Sequence, residues 1–268
     1  MTYEPTEGLD ARLDDGVLRL TIDRPKARNS LDDATGHALI AHLVDAGQDE
    51  AVRAVLITGA GDDFCAGSDL AAKNAKSDVR PRVGSIQRRL PTTFHRLIPL
   101  MLETQVPIVT VVRGWAAGLG FHMALASDFC LATPTARFWE PFIQRGFTPD
   151  SGGSWLLPRL VGLAKARQIL LLGTEVTGEQ AHEWGLIHAA IADDELTAAA
   201  GELLGKLASG PTVALGLAKW LLHTSGSADL DEQLRNEAFA LELSSRSEDF
   251  REGLAAFREK RDPGFSGR

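Results

Sequence analysis

The chain has 268 residues, 44% of them hydrophobic and 24% charged, with a formal net charge of -8. Those values fit a soluble globular chain with an ample core, either one large domain or one domain with an appendage. The acidic excess argues against non-specific nucleic-acid binding, which needs a basic footprint, but leaves room for an anionic ligand on a local patch. Two cysteines, Cys65 and Cys130, are too few for a disulfide framework and fit a reducing compartment, and both read as packing residues in apolar runs. The opening residues lack a signal-peptide h-region and no apolar run is long enough to span a membrane, so a cytoplasmic location is expected.

Val17 to Ile22 alternates, with Leu18, Leu20 and Ile22 on one face, and predicts a strand. RPKARN follows as a turn. Ser30, with Asp33 three residues on, reads as the N-cap of a helix from Leu31 to Ala46 that closes at Gly47. AVLITG is a β-branched run suited to a strand buried on both faces, and it leads into the loop AGDDFCAGSDL. Residues 71–99, with Lys73, Lys76, Arg80, Arg82, Arg88 and Arg89, predict a partly mobile loop and a helix whose charges are mainly a solvated face. PIVTVV predicts another buried strand, and RGWAAGLG turns into a helix at FHMALASD. DFCLAT and ARFWE read as short strands, and helical patterns alternate with turns after Pro158.

Thr177 and Gln180 make a capping box for a short helix ended by Gly185. The last forty residues read as a helical tail. Asp229 and Glu232 cap one helix with Leu230, Leu234, Ala238 and Leu241 in a stripe; Ser247 caps another with Phe250, Leu254 and Phe257. The alternation of strands and helices implies an α/β architecture, with residues 1–200 as the core and 201–268 as a helical region whose apolar stripe needs a partner surface.

Two glycine-bearing loops follow buried strands, CAGSDL and GWAAGLG. Loops at the carboxyl ends of strands are where α/β proteins place ligands, and two converging backbone N–H groups can hold an oxygen that gains negative charge. The third element is GFTPDSGGSWLLPRL, where Pro149 stiffens the turn that carries Asp150. A carboxylate held there can accept and return a proton; the alternative is a helix-capping carboxylate.

RPKARNSL, FCAGSDL, VRGWAAGLGFHMALASD and PDSGGSWLLPRLVG fall in the order and spacing of the crotonase superfamily, the enoyl-CoA hydratases and isomerases, and the chain resembles that family from about Leu13 to Phe265. PDSGGSWLLPRLVG, EQAHEWGLI and SEDFREGLAAFREKRDPGFSGR look closest to the ring-epoxyphenylacetyl-CoA isomerases of phenylacetate breakdown. The resemblance implies a spiral of ββα units with a helical C-terminal region, assembled as a trimer or a dimer of trimers. It implies an oxyanion hole from the N–H groups of Ser68 and Leu119. It implies that CoA passes near Lys26, Arg28, Ala66, Asp69 and Leu70, with Phe257 and Lys260 completing that site from the same or an adjacent subunit.

Hydratases of the family place glutamates where this chain has His122 and Phe142. Water addition by the two-carboxylate route is therefore not expected, and Asp150 matches the family's isomerase carboxylate. His122, expected to line the pocket, is either a second acid–base group or a structural histidine. Trp115, Trp139 and Phe142 are candidates for the acyl pocket, and Glu140 for a second acid. The expected reaction removes a proton from the acyl chain, holds the enolate and returns the proton elsewhere. No metal or redox cofactor is implied beyond the CoA of the substrate.

Three other readings compete. DSGG is similar to the nucleophile segment of chymotrypsin-like proteases, but the helical periodicity is foreign to a pair of β-barrels. A non-catalytic acyl-CoA-binding protein on the same scaffold is a second reading. A hydratase-type or C–C hydrolase activity using His122 with Asp150 is a third.

Overall fold

This computed structural model describes residues 1–69 and 82–268. Strands β1 (Leu9–Asp14) and β2 (Val17–Ile22) form an antiparallel hairpin turned by Asp15 and Gly16, both at positive φ. Helix α1 (Asp33–Ala46), strand β3 (Ala54–Gly59) and the short helices α2 (Ser85–Arg89) and α3 (Leu97–Glu103) follow. The chain then lays down β4 (Ile108–Val112), β5 (Trp115–Ala117) and α4 (Leu119–Ala126). It repeats the pattern with β6 (Phe129–Ala132), β7 (Arg137–Trp139) and α5 (Gly153–Leu172). Next come β8 (Val176–Thr177), α6 (Gly178–Glu183), β9 (Ala189–Ala190) and α7 (Asp193–Ala208). The remaining helices are α8 (Thr212–Thr224), α9 (Leu230–Ser244) and α10 (Glu248–Glu259).

Each pass gives one strand to a sheet of order β1-β2-β3-β4-β6-β9, parallel from β2 onward, and one to a smaller sheet of order β5-β7-β8. This is the α/β spiral of ββα units that the resemblance implies. The large sheet is covered on both faces. Val55 and Ile57 of β3 point into one core with Leu18, Leu20 and Ile22, while Ala54 and Leu56 point into a second core with Val109 and Val111. A strand packed on both sides needs apolar residues at consecutive positions, and AVLITG has them.

Several sequence expectations need correction. The cap of α1 is Asp32, not Ser30: its side chain accepts the Thr35 N–H at 2.8 Å, and the helix starts at Asp33. Gly47 does close α1, but with right-handed backbone angles. β1, absent from the predicted strands, alternates apolar and charged residues as a one-sided edge strand does and buries Leu9 and Ala11. The boundary at residue 200 cuts through α7. Leu196, Ala200, Leu204 and Leu207 form one stripe of that helix, buried against β3, β4 and β6, so α7 belongs to the core.

The tail is anchored rather than loose. Arg53, just before β3, bonds the Gly210 carbonyl, the Thr212 hydroxyl and the Phe265 carbonyl. Buried Asp249 accepts the N–H groups of Ser266 at 2.7 Å and Gly267 at 2.9 Å. Leu230, Leu234 and Leu241 of the predicted stripe remain exposed on this single chain. No helix among the described residues is long and apolar enough to cross a membrane.

Candidate active site

The two glycine-bearing loops lie back to back. Ala117 N donates to the Cys65 carbonyl at 2.9 Å and Cys65 N to the Trp115 carbonyl at 2.9 Å, a short ladder that joins them. Glycine is required at two contacts. A Cβ on Gly120 would stand 2.1 Å from the Cys65 carbonyl oxygen; one on Gly67, whose φ is +93, would stand 2.8 Å from the Ala117 oxygen and 3.5 Å from the Leu119 nitrogen. Gly67 immediately precedes Ser68 and Leu119 opens α4, so the structure brings the Ser68 and Leu119 segments together. Among the described residues neither amide N–H has a backbone acceptor, leaving both as donors for something else.

Arg24 gathers the first loop. Its guanidinium bonds Asp69 at 3.2 Å, Asp32 at 3.1 Å and the Ser30 carbonyl. Asp69, expected along the CoA path, pairs its carboxylate with Arg24. Asn29, fully buried at φ 55, donates to the carbonyls of Ala60 and Asp63 and accepts the Arg24 N–H. The Ala66 N–H donates to the Arg28 carbonyl at 3.0 Å, with Lys26 and Arg28 exposed on the adjoining turn, so these three CoA candidates share one region. Leu70 lies outside the described residues, as do Lys73, Lys76 and Arg80. Phe257, 84% exposed, and Lys260 sit on the tail that Arg53 ties to the amino end of β3, whereas Ala66 follows its carboxyl end.

Asp150 is half-buried on the turn before α5. Ser151 donates its Oγ hydrogen to Asp150 Oδ1 at 2.6 Å, with Ser151 at φ 54 and Gly152 at φ 100. Ser151 and Gly152 also form part of the wall of a cavity of about 590 Å³, together with His95, Ile98, Trp155 and Trp220. Ser151 bonded to a neighbouring carboxylate, on an α/β spiral, leaves nothing of the protease reading.

His122, expected to line the pocket, is fully buried, and its Nε2 lies 2.5 Å from Oε1 of Glu140, itself 1% exposed. Phe142 stacks on the imidazole with centroids 6.2 Å apart, and Phe121 flanks it at 6.5 Å. Burial raises the Glu140 carboxyl above its ordinary range; His122 opposes this and the charge of Asp150 reinforces it. His122 Nδ1 and Glu140 Oε2 are buried without a hydrogen-bond partner among the described residues. The pairing was legible in part: Phe138 faces inward, and strand alternation puts Glu140 on that same side.

The same alternation fixes the face on which the two tryptophans lie. Trp115 pairs with Arg137 in the small sheet and Ala117 with Trp139, so both indoles lie on the face opposite Phe138. They meet each other at 5.7 Å, and Trp139 Nε1 donates to the Gly173 carbonyl at 3.1 Å. They form their own cluster, apart from the Phe142 and His122 stack. No group of three or more His, Cys, Asp or Glu among the described residues could hold a metal ion.

The family model described as enoyl-CoA hydratase/isomerase matches residues 12–268. A 1,2-epoxyphenylacetyl-CoA isomerase from Escherichia coli is 38% identical, over 96% of this chain and 98% of its own length. A crotonyl-CoA hydratase from Syntrophomonas wolfei is 33% identical, over 92% of this chain and 93% of its own. The solved enoyl-CoA hydratase from Bacillus anthracis superposes with a TM-score of 0.90 at 27% identity, covering 97% of this chain and 100% of that one.

Proposed function

Because the chain belongs to the enoyl-CoA hydratase/isomerase family of the crotonase superfamily, we propose that it binds an acyl-CoA thioester and isomerises the acyl group through an enolate. In this reading the thioester oxygen accepts the N–H groups of Ser68 and Leu119. Those donors are fixed by the loop ladder before charge develops, so little reorganisation is needed when it does. Asp150 takes a proton from the acyl chain and returns it to another carbon. Lys26, Arg28, Ala66, Asp69 and Leu70 guide the CoA, and the cavity beside Ser151 and Gly152 gives the acyl group room.

Phe257 and Lys260 complete the CoA site from a neighbouring subunit, since their own chain holds them at the other end of β3. The exposed stripe of α9 supports such self-association, as a trimer or a dimer of trimers. The homologue named as an epoxyphenylacetyl-CoA isomerase supports the isomerase side, and the one named as a crotonyl-CoA hydratase the other.

One observation carries the choice of isomerase. Of the two positions from which hydratases hold and deprotonate water, His122 is sealed in a pair with Glu140 and Phe142 is packed on top of it. Asp150 remains as the half-buried carboxylate on the loop side. The test is a panel of 2-enoyl-, 3-enoyl- and ring-derived CoA esters, assayed with wild type and Asp150→Asn. Isomerisation should fall roughly 10²–10⁴-fold in the variant with binding retained. Strong hydration of crotonyl-CoA by the wild type, or isomerisation untouched by Asp150→Asn, would overturn the proposal.

A further inference from the structure

The His122 and Glu140 pair has a cost that an apolar pair would not have. Two of its buried polar atoms lack partners among the described residues, each an uncompensated desolvation, and well-packed hydrophobic residues often replace buried charged pairs without loss. The surroundings, Phe121 and Phe142, would accept such a replacement. What an apolar pair would lose is a defined ring orientation.

That orientation matters because of where the ring sits. His122 lies one helical turn after Leu119, its N–H bonded to the Gly118 carbonyl at 3.0 Å. On its other side is Gly153, where an added Cβ would stand 2.3 Å from His122 Nε2. The imidazole is thus a spacer between the start of α4 and the turn that carries Asp150. That turn is held in a left-handed conformation at Ser151 and Gly152, which persists only when its surroundings over-determine it.

We propose that Glu140 is a positioning residue of this site: by holding His122 against Gly153, it sets where the Asp150 carboxylate stands relative to the Leu119 amide. The inference rests on the isomerase reading above. Glu140 touches no substrate and acts through His122. The charged and titratable groups acting on it are His122 from α4 and Asp150 from the turn ahead of α5.

The test compares Glu140→Leu and Glu140→Gln in the full chain, with Asp150→Asn as reference. Glu140→Leu removes the ring's anchor and should lower kcat at least roughly tenfold, with KM for the acyl-CoA within about threefold, since a displacement near 1 Å can cost 10²-fold. Glu140→Gln keeps a hydrogen bond to the ring and should recover most of that kcat. If Glu140→Leu does not fold, Glu140→Ala replaces it: kcat lowered with KM kept supports the proposal, and wild-type kcat or a loss confined to KM refutes it. Wild-type kcat in both variants, or a loss confined to KM, also refutes it. An Asp150→Asn enzyme that stays active would instead refute the isomerase reading, so the two failures are distinguishable.

Discussion

Gly120 and Cys65 meet backbone to backbone, with room for nothing larger than hydrogen: a methyl on Gly120 would lie 2.1 Å from the Cys65 carbonyl oxygen. Gly120→Ala should therefore push the start of α4 away from the first loop. The expected outcome is a loss of roughly 10²-fold in kcat/KM and about 1–3 kcal/mol in stability, read by steady-state kinetics and urea unfolding. A variant with wild-type kinetics would show that the contact between these loops is not needed for activity.

Gly201, in the middle of α7, provides the opposite case. A Cβ there meets nothing within 4 Å, and the residue has ordinary helical angles. Gly201→Ala should raise stability by about 0.5–1 kcal/mol and leave turnover unchanged, as helix propensity alone predicts. Thermal unfolding of the two alanine variants side by side would separate tight packing from mere glycine content.

Lys219 of α8 is 5% exposed and bonds Asp128 Oδ2 at 2.7 Å and the Val106 carbonyl at 3.3 Å. The same carboxylate oxygen accepts the Ile108 N–H at 2.7 Å, so one pair ties α8 to the start of β4. Burial pulls the Lys219 ammonium below its ordinary range, and Asp128 opposes that. Lys219→Met leaves the carboxylate without its cation and should cost about 3–5 kcal/mol. Adding Asp128→Asn to that variant should recover part of the loss, a coupling that a double-mutant cycle measures.

Acid should unfasten the tail. Arg261 and the Gly264 N–H hold the Glu252 carboxyl down to about 2, below its unfolded value near 4.5. A depressed folded pKa means the contribution is complete above the unfolded value and is lost as pH falls through the folded one. The window therefore runs from about 4.5 down to about 2. The amide signal of Gly264 should titrate in that window in the wild type and stay flat in Glu252→Gln.

Both thiols should be inert in the native protein. Burial pushes Cys65 and Cys130 up to about 12, far above neutral pH, and the thiolate is the reactive form. Alkylation by iodoacetamide at pH 8 should follow global unfolding, with no fast phase. A rapid equivalent at Cys65 would mean that the first loop opens on its own.

The parts of this molecule that could be read from the chain alone are those dictated by local pattern. β2, β3 and β4 announce themselves through β-branched runs, and the Thr177 box caps α6 as its spacing requires, with both reciprocal bonds formed. The errors fall where contacts distant in sequence decide. Ser30 is a good cap by composition, but Arg24 takes its carbonyl and leaves the capping to Asp32. That Trp115 and Trp139 share a face follows only from the β5–β7 register. That His122 meets Glu140 beneath Phe142 depends on where the end of β7 reaches α4. Pairings of that kind depend on which strands become neighbours, and nothing within a few residues of His122 specifies that.

The ladder between the Cys65 and Ala117 segments has a bearing on how this chain can be interrogated. The donors proposed for the thioester oxygen belong to the main chain, so exchanging the side chain of Ser68 or Leu119 leaves each N–H in place. An alanine scan would report only the packing lost at buried Leu119, not the N–H itself. Replacing either amide by an ester removes the hydrogen while keeping every side chain, and that is the substitution to which the pair is vulnerable.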